Sequence, residues 1–164
     1  MFFKLISRIR FLVNSTNQHG VHSPFVFDFV TKGLYQKLPK SVATNDFLAT
    51  QKLRKKEQKI LLKIINYFQI DTIYTTVDEL ENTFDNNYKL LFINTINKFN
   101  FDTISVTSSK LIVVFQDIHS NKVNQEKWVT LCKNPKATVT IDLFYFGMIF
   151  FRNEQAKEHF KIRV

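Results

Sequence analysis

At residue 70 the hydrophobic period of this chain changes from helical to strand-like, and the change divides its 164 residues in two. Before it, apolar residues recur at helical spacing. After it they come as short runs: Asp71–Val77, Lys89–Asn94, Lys110–Gln116, Thr138–Phe144 and Met148–Arg152. The second and third runs are almost continuously apolar, as expected for strands buried on both faces. Helical stretches fit between the runs over Asp78–Asn86, Asn97–Val106 and Asn124–Cys132. Strands that alternate with helices imply an α/β fold with a parallel sheet. Only Tyr145-Phe146-Gly147 separates the last two runs, so the final strand is expected to return antiparallel through a tight hairpin. A chain of this length supports one sizeable core. The expectation is therefore a single domain over 1–164, with a helical part over 1–69 and a sheet of about five strands over 70–164.

The helical part opens on MFFKLISRIRFLV, which Lys4, Arg8 and Arg10 make too short and too charged to span a bilayer, where ~20 apolar residues are needed. It also lacks the unbroken apolar centre and small-residue cleavage site of a signal peptide. Phe2, Leu5, Ile6, Ile9, Leu12 and Val13 share one face of an amphipathic helix. That face is expected to pack on the rest of the protein, with docking on a membrane surface as the alternative. After the polar break Asn14–His22, Ser23-Pro24 opens a second helix, Ser as cap and Pro in the first turn. Leu38-Pro39-Lys40-Ser41 reads as a loop. A basic helix follows over Asp46–Phe68, with Leu53, Leu61, Ile64, Ile65 and Phe68 inward and Lys52, Lys55, Lys56, Lys59 and Lys63 outward.

The formal net charge of +9 belongs entirely to this part: residues 1–63 carry twelve Lys and Arg against Asp28, Asp46 and Glu57, while the remainder is balanced. Such a face either solubilises the helices or meets phosphate, lipid or an acidic partner. A nucleic-acid or anionic-surface binder would use Lys52, Arg54, Lys55, Lys56, Lys59 and Lys63 for phosphate contacts. The single cysteine, Cys132, excludes an internal disulfide and offers no zinc pair, which fits a reduced cytoplasmic setting. It reads as a buried structural thiol beside a core Trp128 and Val129. No P-loop, Gly-x-Ser-x-Gly elbow, His-Glu-x-x-His or other metal-ligating pattern is present in the sequence.

A parallel sheet ending in an antiparallel hairpin strand is characteristic of the class I S-adenosylmethionine-dependent methyltransferases. The segment His19-Gly20-Val21-His22-Ser23-Pro24-Phe25-Val26-Phe27-Asp28-Phe29-Val30 resembles the opening of a bacterial O-methyltransferase-like subfamily of that group. Phe115-Gln116-Asp117-Ile118-His119-Ser120 looks like the end of one of its late parallel strands. Thr138–Phe144, Gly147 and Phe150-Phe151-Arg152 look like its terminal hairpin, and Glu154-Gln155 and His159-Phe160 continue the match. Ile60–Ile73 matches more weakly. The resemblance implies a reduced Rossmann-like methyltransferase fold with N-terminal helices, S-adenosylmethionine as the family cofactor, and His19, Gly20, His22, Ser23 and Pro24 as the family's N-terminal motif; within it His22-Ser23-Pro24 reads as a structural turn and helix cap, with covering of the substrate side as its family role.

Within that resemblance the cofactor chemistry is degenerate. The family's first strand runs into an acidic-x-Gly-x-Gly turn, where glycine lets the backbone approach the cofactor closely. Here no glycine lies between Gly33 and Gly147, and the corresponding turn is Thr75-Thr76-Val77-Asp78-Glu79-Leu80. Asp78 and Glu79 would serve only to cap a following helix. The interval Asp78–Tyr88 holds one short helix and no extra strands, so the family's second and third strands, with the adenosine half of the pocket, are expected to be missing. Where the family tends to carry Asp-Gly this chain has Asn94-Thr95, and where it tends to carry a second Asp it has Gln116.

Asp117 and His119 remain as catalytic candidates at a strand end, His119 as a general base. The plainer expectation is that Asp117 or Ser120 caps the next helix and His119 is a hydrogen-bonded surface residue. The leading functional expectation is a methyltransferase-family protein that has lost cofactor binding and acts by interaction. A homodimer mate or another protein would cover the sheet edge that the deletion leaves at Asp71–Val77. An active minimal methyltransferase on a small molecule is the second expectation. Binding of nucleic acid or a membrane surface through the basic helices is the third.

Overall fold

A computed structural model describes residues 2–38, 46–80, 86–104 and 108–164. It is an α/β protein with a six-stranded mixed sheet, whose strands stand in the order β1-β2-β3-β5-β4-β6. β1 (Ile73–Tyr74), β2 (Lys89–Ile93) and β3 (Leu111–Gln116) run parallel, and β4 (Val139–Asp142) and β6 (Glu158–Lys161) share that direction. β5 (Phe146–Phe150) is antiparallel and pairs with both β3 and β4.

The apolar runs are buried on both faces, as their composition requires. Leu90, Phe92, Ile112 and Val114 face one core, shared with the N-terminal helices. Leu91, Val113 and Phe115 face a second core with Trp128 and Leu131. That alternation is the period-two geometry of a strand with helices on either side.

The first core is closed by α2 (Pro24–Asp28), its π-helical continuation Phe29–Leu34, and α4 (Lys55–Phe68). Ser23 caps α2 as expected, its Oγ accepting from the Val26 N–H at 3.4 Å, with Pro24 in the first turn. α4 buries Leu61, Ile64, Ile65 and Phe68 and leaves Leu53 half-buried before it. The second core is closed by α5 (Lys122–Lys133), which contains the expected Asn124–Cys132 stretch.

Several expectations are corrected. The basic helix over Asp46–Phe68 is two helices, α3 (Asp46–Thr50) and α4, because the buried Glu57 carboxylate accepts from the Arg54 main-chain N–H at 2.9 Å and starts α4 afresh. The sheet has a sixth strand, β6, whose four residues bury only Phe160 and so carry little apolar signal. The strand expected over Asp71–Val77 shrinks to β1, a short edge strand of the kind that resists further pairing. Asn97–Val106 is not a helix but two 3-10 turns, Ile96–Lys98 and Phe101–Thr103, with 105–106 outside the described residues. Of the helix expected over Asp78–Asn86, Asp78 and Glu79 lie in a turn and 81–85 are outside the described residues. The loop at Leu38–Ser41 also falls largely outside them. Val129 is exposed, while Trp128 is core.

The terminal hairpin turns through Leu143-Phe144-Tyr145, not Tyr145-Phe146-Gly147. Gly147 lies within β5 for a packing reason: a Cβ there would sit 2.6 Å from Cζ3 of Trp128. Positive φ falls instead on Gln69 (52°), Asp117 (53°) and Phe144 (68°). For a residue as bulky as Phe this is a strained conformation that its surroundings must hold.

The helix α1 (Phe2–Asn14) is amphipathic as expected, but its orientation is reversed. It buries Ser7 and Phe11. The apolar face expected to pack points outward, with Leu5 58% and Ile9 56% exposed.

Candidate functional site

In an open α/β sheet, ligands bind in the crevice beyond the carboxyl ends of the parallel strands. Here the ends of β1, β2, β3 and β4 meet groups of the chain itself. At the end of β1, Glu79 turns back, and its carboxylate accepts from the main-chain N–H of Thr75 at 2.8 Å and of Thr76 at 3.3 Å. These hydrogen bonds hold the Glu79 carboxyl below its ordinary value of 4.5. Glu79 therefore caps the turn it belongs to, and the helix expected after it lies largely outside the described residues. Beside it, Thr75, Thr76, Val77, Asn94 and Lys98 line a pocket of about 300 Å³. Four of the five residues expected in a degenerate cofactor loop are thus brought together, and Asp78 is exposed outside that lining.

The link between α3 and α4 crosses the ends of β2 and β3. Gln51 Oε1 accepts from Asn94 Nδ2 at 3.1 Å, and the Lys52 carbonyl accepts from Gln116 Nε2 at 3.4 Å. Asp117 follows β3 in the left-handed conformation, its N–H donating to the Tyr145 carbonyl at 2.8 Å. Its carboxylate lies 3.2 Å from Lys4 Nζ of α1 and 3.9 Å from Arg54. Asp117 is thus paired with two cations. The cap of α5 is Asn121, whose side chain accepts from the Asn124 N–H at 2.8 Å, so neither Asp117 nor Ser120 has that role.

His119 is buried, not a surface residue. Its Nε2 meets Asp142 Oδ2 at 2.8 Å, while Asp142 Oδ1 accepts from the Phe144 N–H at 2.8 Å. The imidazole stacks on the Phe144 ring with centroids 5.1 Å apart, and Phe11 of α1 packs edge-on beside both rings. A carboxylate-oriented imidazole is suited to general-base chemistry. This one is buried against two phenyl rings, and its Nδ1 has no hydrogen-bond partner among the described residues.

The N-terminal motif lies elsewhere. Ser23 Oγ accepts from Gln155 in the loop between β5 and β6, at the amino ends of the parallel strands and away from the crevice. Gly20 ends a 3-10 turn that Asn17 caps by accepting from the His19 N–H, and His19 and His22 are exposed. His22-Ser23-Pro24 is a structural turn and cap, as its sequence leads one to expect. Among the described residues, no three His, Cys, Asp or Glu side chains are placed to hold a metal ion. Cys132 is half-buried, and burial pushes its thiol up to about 12.

The basic residues divide. Arg54 is engaged with Glu57 and Asp117. Lys55, Lys56, Lys59 and Lys63 line a cleft of about 570 Å³ with Tyr35 and Arg163. Burial and the neighbouring Lys59 push the Lys63 amine below its ordinary value. Periodicity had indicated the outward lysines; it gave no sign of Lys4, Gln51, Glu79 or Asp142, which act across long or irregular stretches of chain. No helix among the described residues is long and apolar enough to cross a membrane. Comparison with protein-family models, curated proteins and solved structures found no match to the chain.

Proposed function

We propose that the protein is an interaction protein built on a reduced methyltransferase-like sheet, in which the cofactor crevice is occupied by the chain's own side chains. The observation that carries this is the Glu79 carboxylate on the Thr75 and Thr76 N–H groups. Those are the donors that a ligand at the end of the first strand would need. An internal carboxylate already holds them at no cost in lost translational freedom. The antiparallel β5 between β3 and β4 supports the methyltransferase-like ancestry. The short β1 beside β2 supports the loss of the strands that would hold adenosine. A fold can outlast its reaction, because the core holds the one and a few loop residues perform the other.

The test is calorimetric titration of folded protein with S-adenosylmethionine and S-adenosylhomocysteine, beside Glu79→Ala. No heat of binding in the native protein is the expected result. Micromolar binding would overturn the proposal. It would favour instead a minimal methyltransferase using the pocket lined by Thr75 and Asn94, the second reading that this pocket supports.

A further inference from the structure

We infer that α1 is an interfacial helix that docks the protein on an anionic lipid surface. The inference is independent of whether the crevice takes a cofactor. α1 is held to the sheet by one narrow face. Phe11 packs on Phe144 at 5.4 Å, Lys4 pairs with Asp117, and Ser7 Oγ lies 3.5 Å from Gln125 Oε1. The opposite face is Phe2, Leu5, Ile6, Ile9, Leu12 and Val13, each between 42% and 82% exposed. Six large apolar side chains side by side on one exposed helix face mark an interaction surface rather than scattered surface residues.

Charge selects the partner. α1 contains Lys4, Arg8 and Arg10 and no acidic residue. At helical spacing Arg8 and Arg10 fall on opposite flanks of the apolar stripe, where their long stems can lie along it and their guanidinium groups reach phosphate. Apolar side chains outward with basic flanks is the pattern of a helix lying in the headgroup boundary. At about 20 Å for its thirteen residues, α1 is too short to span but long enough to lie in the plane. The surrounding surface has the same sign. Arg8 and Leu12 share a small depression with Lys56 and Arg163, and those two also line the lysine cleft of α4. A basic surface next to an apolar helix adds electrostatic attraction to anionic lipid. A second copy of α1 fits this face less well, because it would bring its own arginines against these with no acidic residue on either helix to offset them.

The experiment is flotation of the full chain with phosphatidylcholine vesicles made with and without phosphatidylglycerol. The wild-type protein is expected to float with the anionic vesicles and about tenfold less with neutral ones. The double variant L5Q/I9Q is expected to lose anionic flotation by about tenfold or more while unfolding at the same temperature, since both side chains are exposed and Gln is a good helix former. No flotation of the wild type overturns the inference. So does full flotation of L5Q/I9Q, which would leave binding to the lysine cleft alone. A wild-type dimer that L5Q/I9Q dissociates, without vesicle binding, also overturns it and assigns the face to a second copy.

Discussion

His119 Nε2 and Asp142 Oδ2 meet at 2.8 Å with their side chains 7% and 1% exposed, and the same carboxylate holds the main chain of Phe144 through its other oxygen. One side chain thus fixes a histidine and a strained turn. Asp142→Ala would leave a buried imidazole and a buried N–H without their acceptor, at a cost of about 3 kcal/mol. Asp142→Asn retains an acceptor and is expected to cost about 1 kcal/mol. Urea denaturation of both variants reads the difference, and equal losses would show that the pair is not what holds the turn.

The Glu79 carboxylate predicts an acid-sensitive loop. Its folded value lies below 4.5, so its contribution is fully present above that pH and is lost as pH falls through the lower folded value. The amide protons of Thr75 and Thr76, each compared with its intrinsic exchange rate at the same pH, should therefore be protected near neutrality and lose that protection in strong acid. Glu79→Gln should accelerate their exchange at pH 7. Unchanged exchange in that variant would remove the basis for a self-occupied crevice.

Cys132 should be inert in the folded protein. With burial pushing the thiol up to about 12, the thiolate fraction at pH 8 is ~10⁻⁴. A maleimide or disulfide reagent should label it only after urea unfolding. Prompt labelling of native protein would contradict this environment.

Gly147→Ala places a methyl group in the space of the Trp128 ring, whose Cζ3 would be 2.6 Å away. Both residues are walled in by the second core, so the ring cannot simply swing out. The expected loss is about 1–3 kcal/mol with a shifted Trp128 emission. A variant of unchanged stability and emission would mean that this core is loosely packed.

Much of the architecture was legible in local pattern. The runs at Lys89–Asn94 and Lys110–Gln116 became central strands because a stretch apolar at every position has only a doubly covered place to go. Ser23-Pro24 announced its helix because cap and first turn are local chemistry. The candidate site was less legible. Thr75, Thr76, Val77 and Asn94 stand out as counterparts of the family's cofactor turn, but of the groups that meet the strand ends only Glu79 is local, while Gln51 and Lys52, and the Lys4 and Arg54 partners of Asp117, come from far away in the chain.

α1 marks the boundary most clearly. Its sequence alone determined an amphipathic helix with a stripe of six apolar residues and basic flanks, because spacing is a property of the helix itself. Only the tertiary structure decided that this stripe faces outward, with Ser7 and Phe11 inward. Which face is buried depends on what lies opposite, here the Phe144 turn, His119 and the Asp117 carboxylate. In the same way the sequence determined that the strand ends lack glycine. The decision that Glu79, Gln51 and Lys52 would fill them belonged to the folded chain, because hydrogen-bond partners are chosen by proximity in space and leave no period in the sequence.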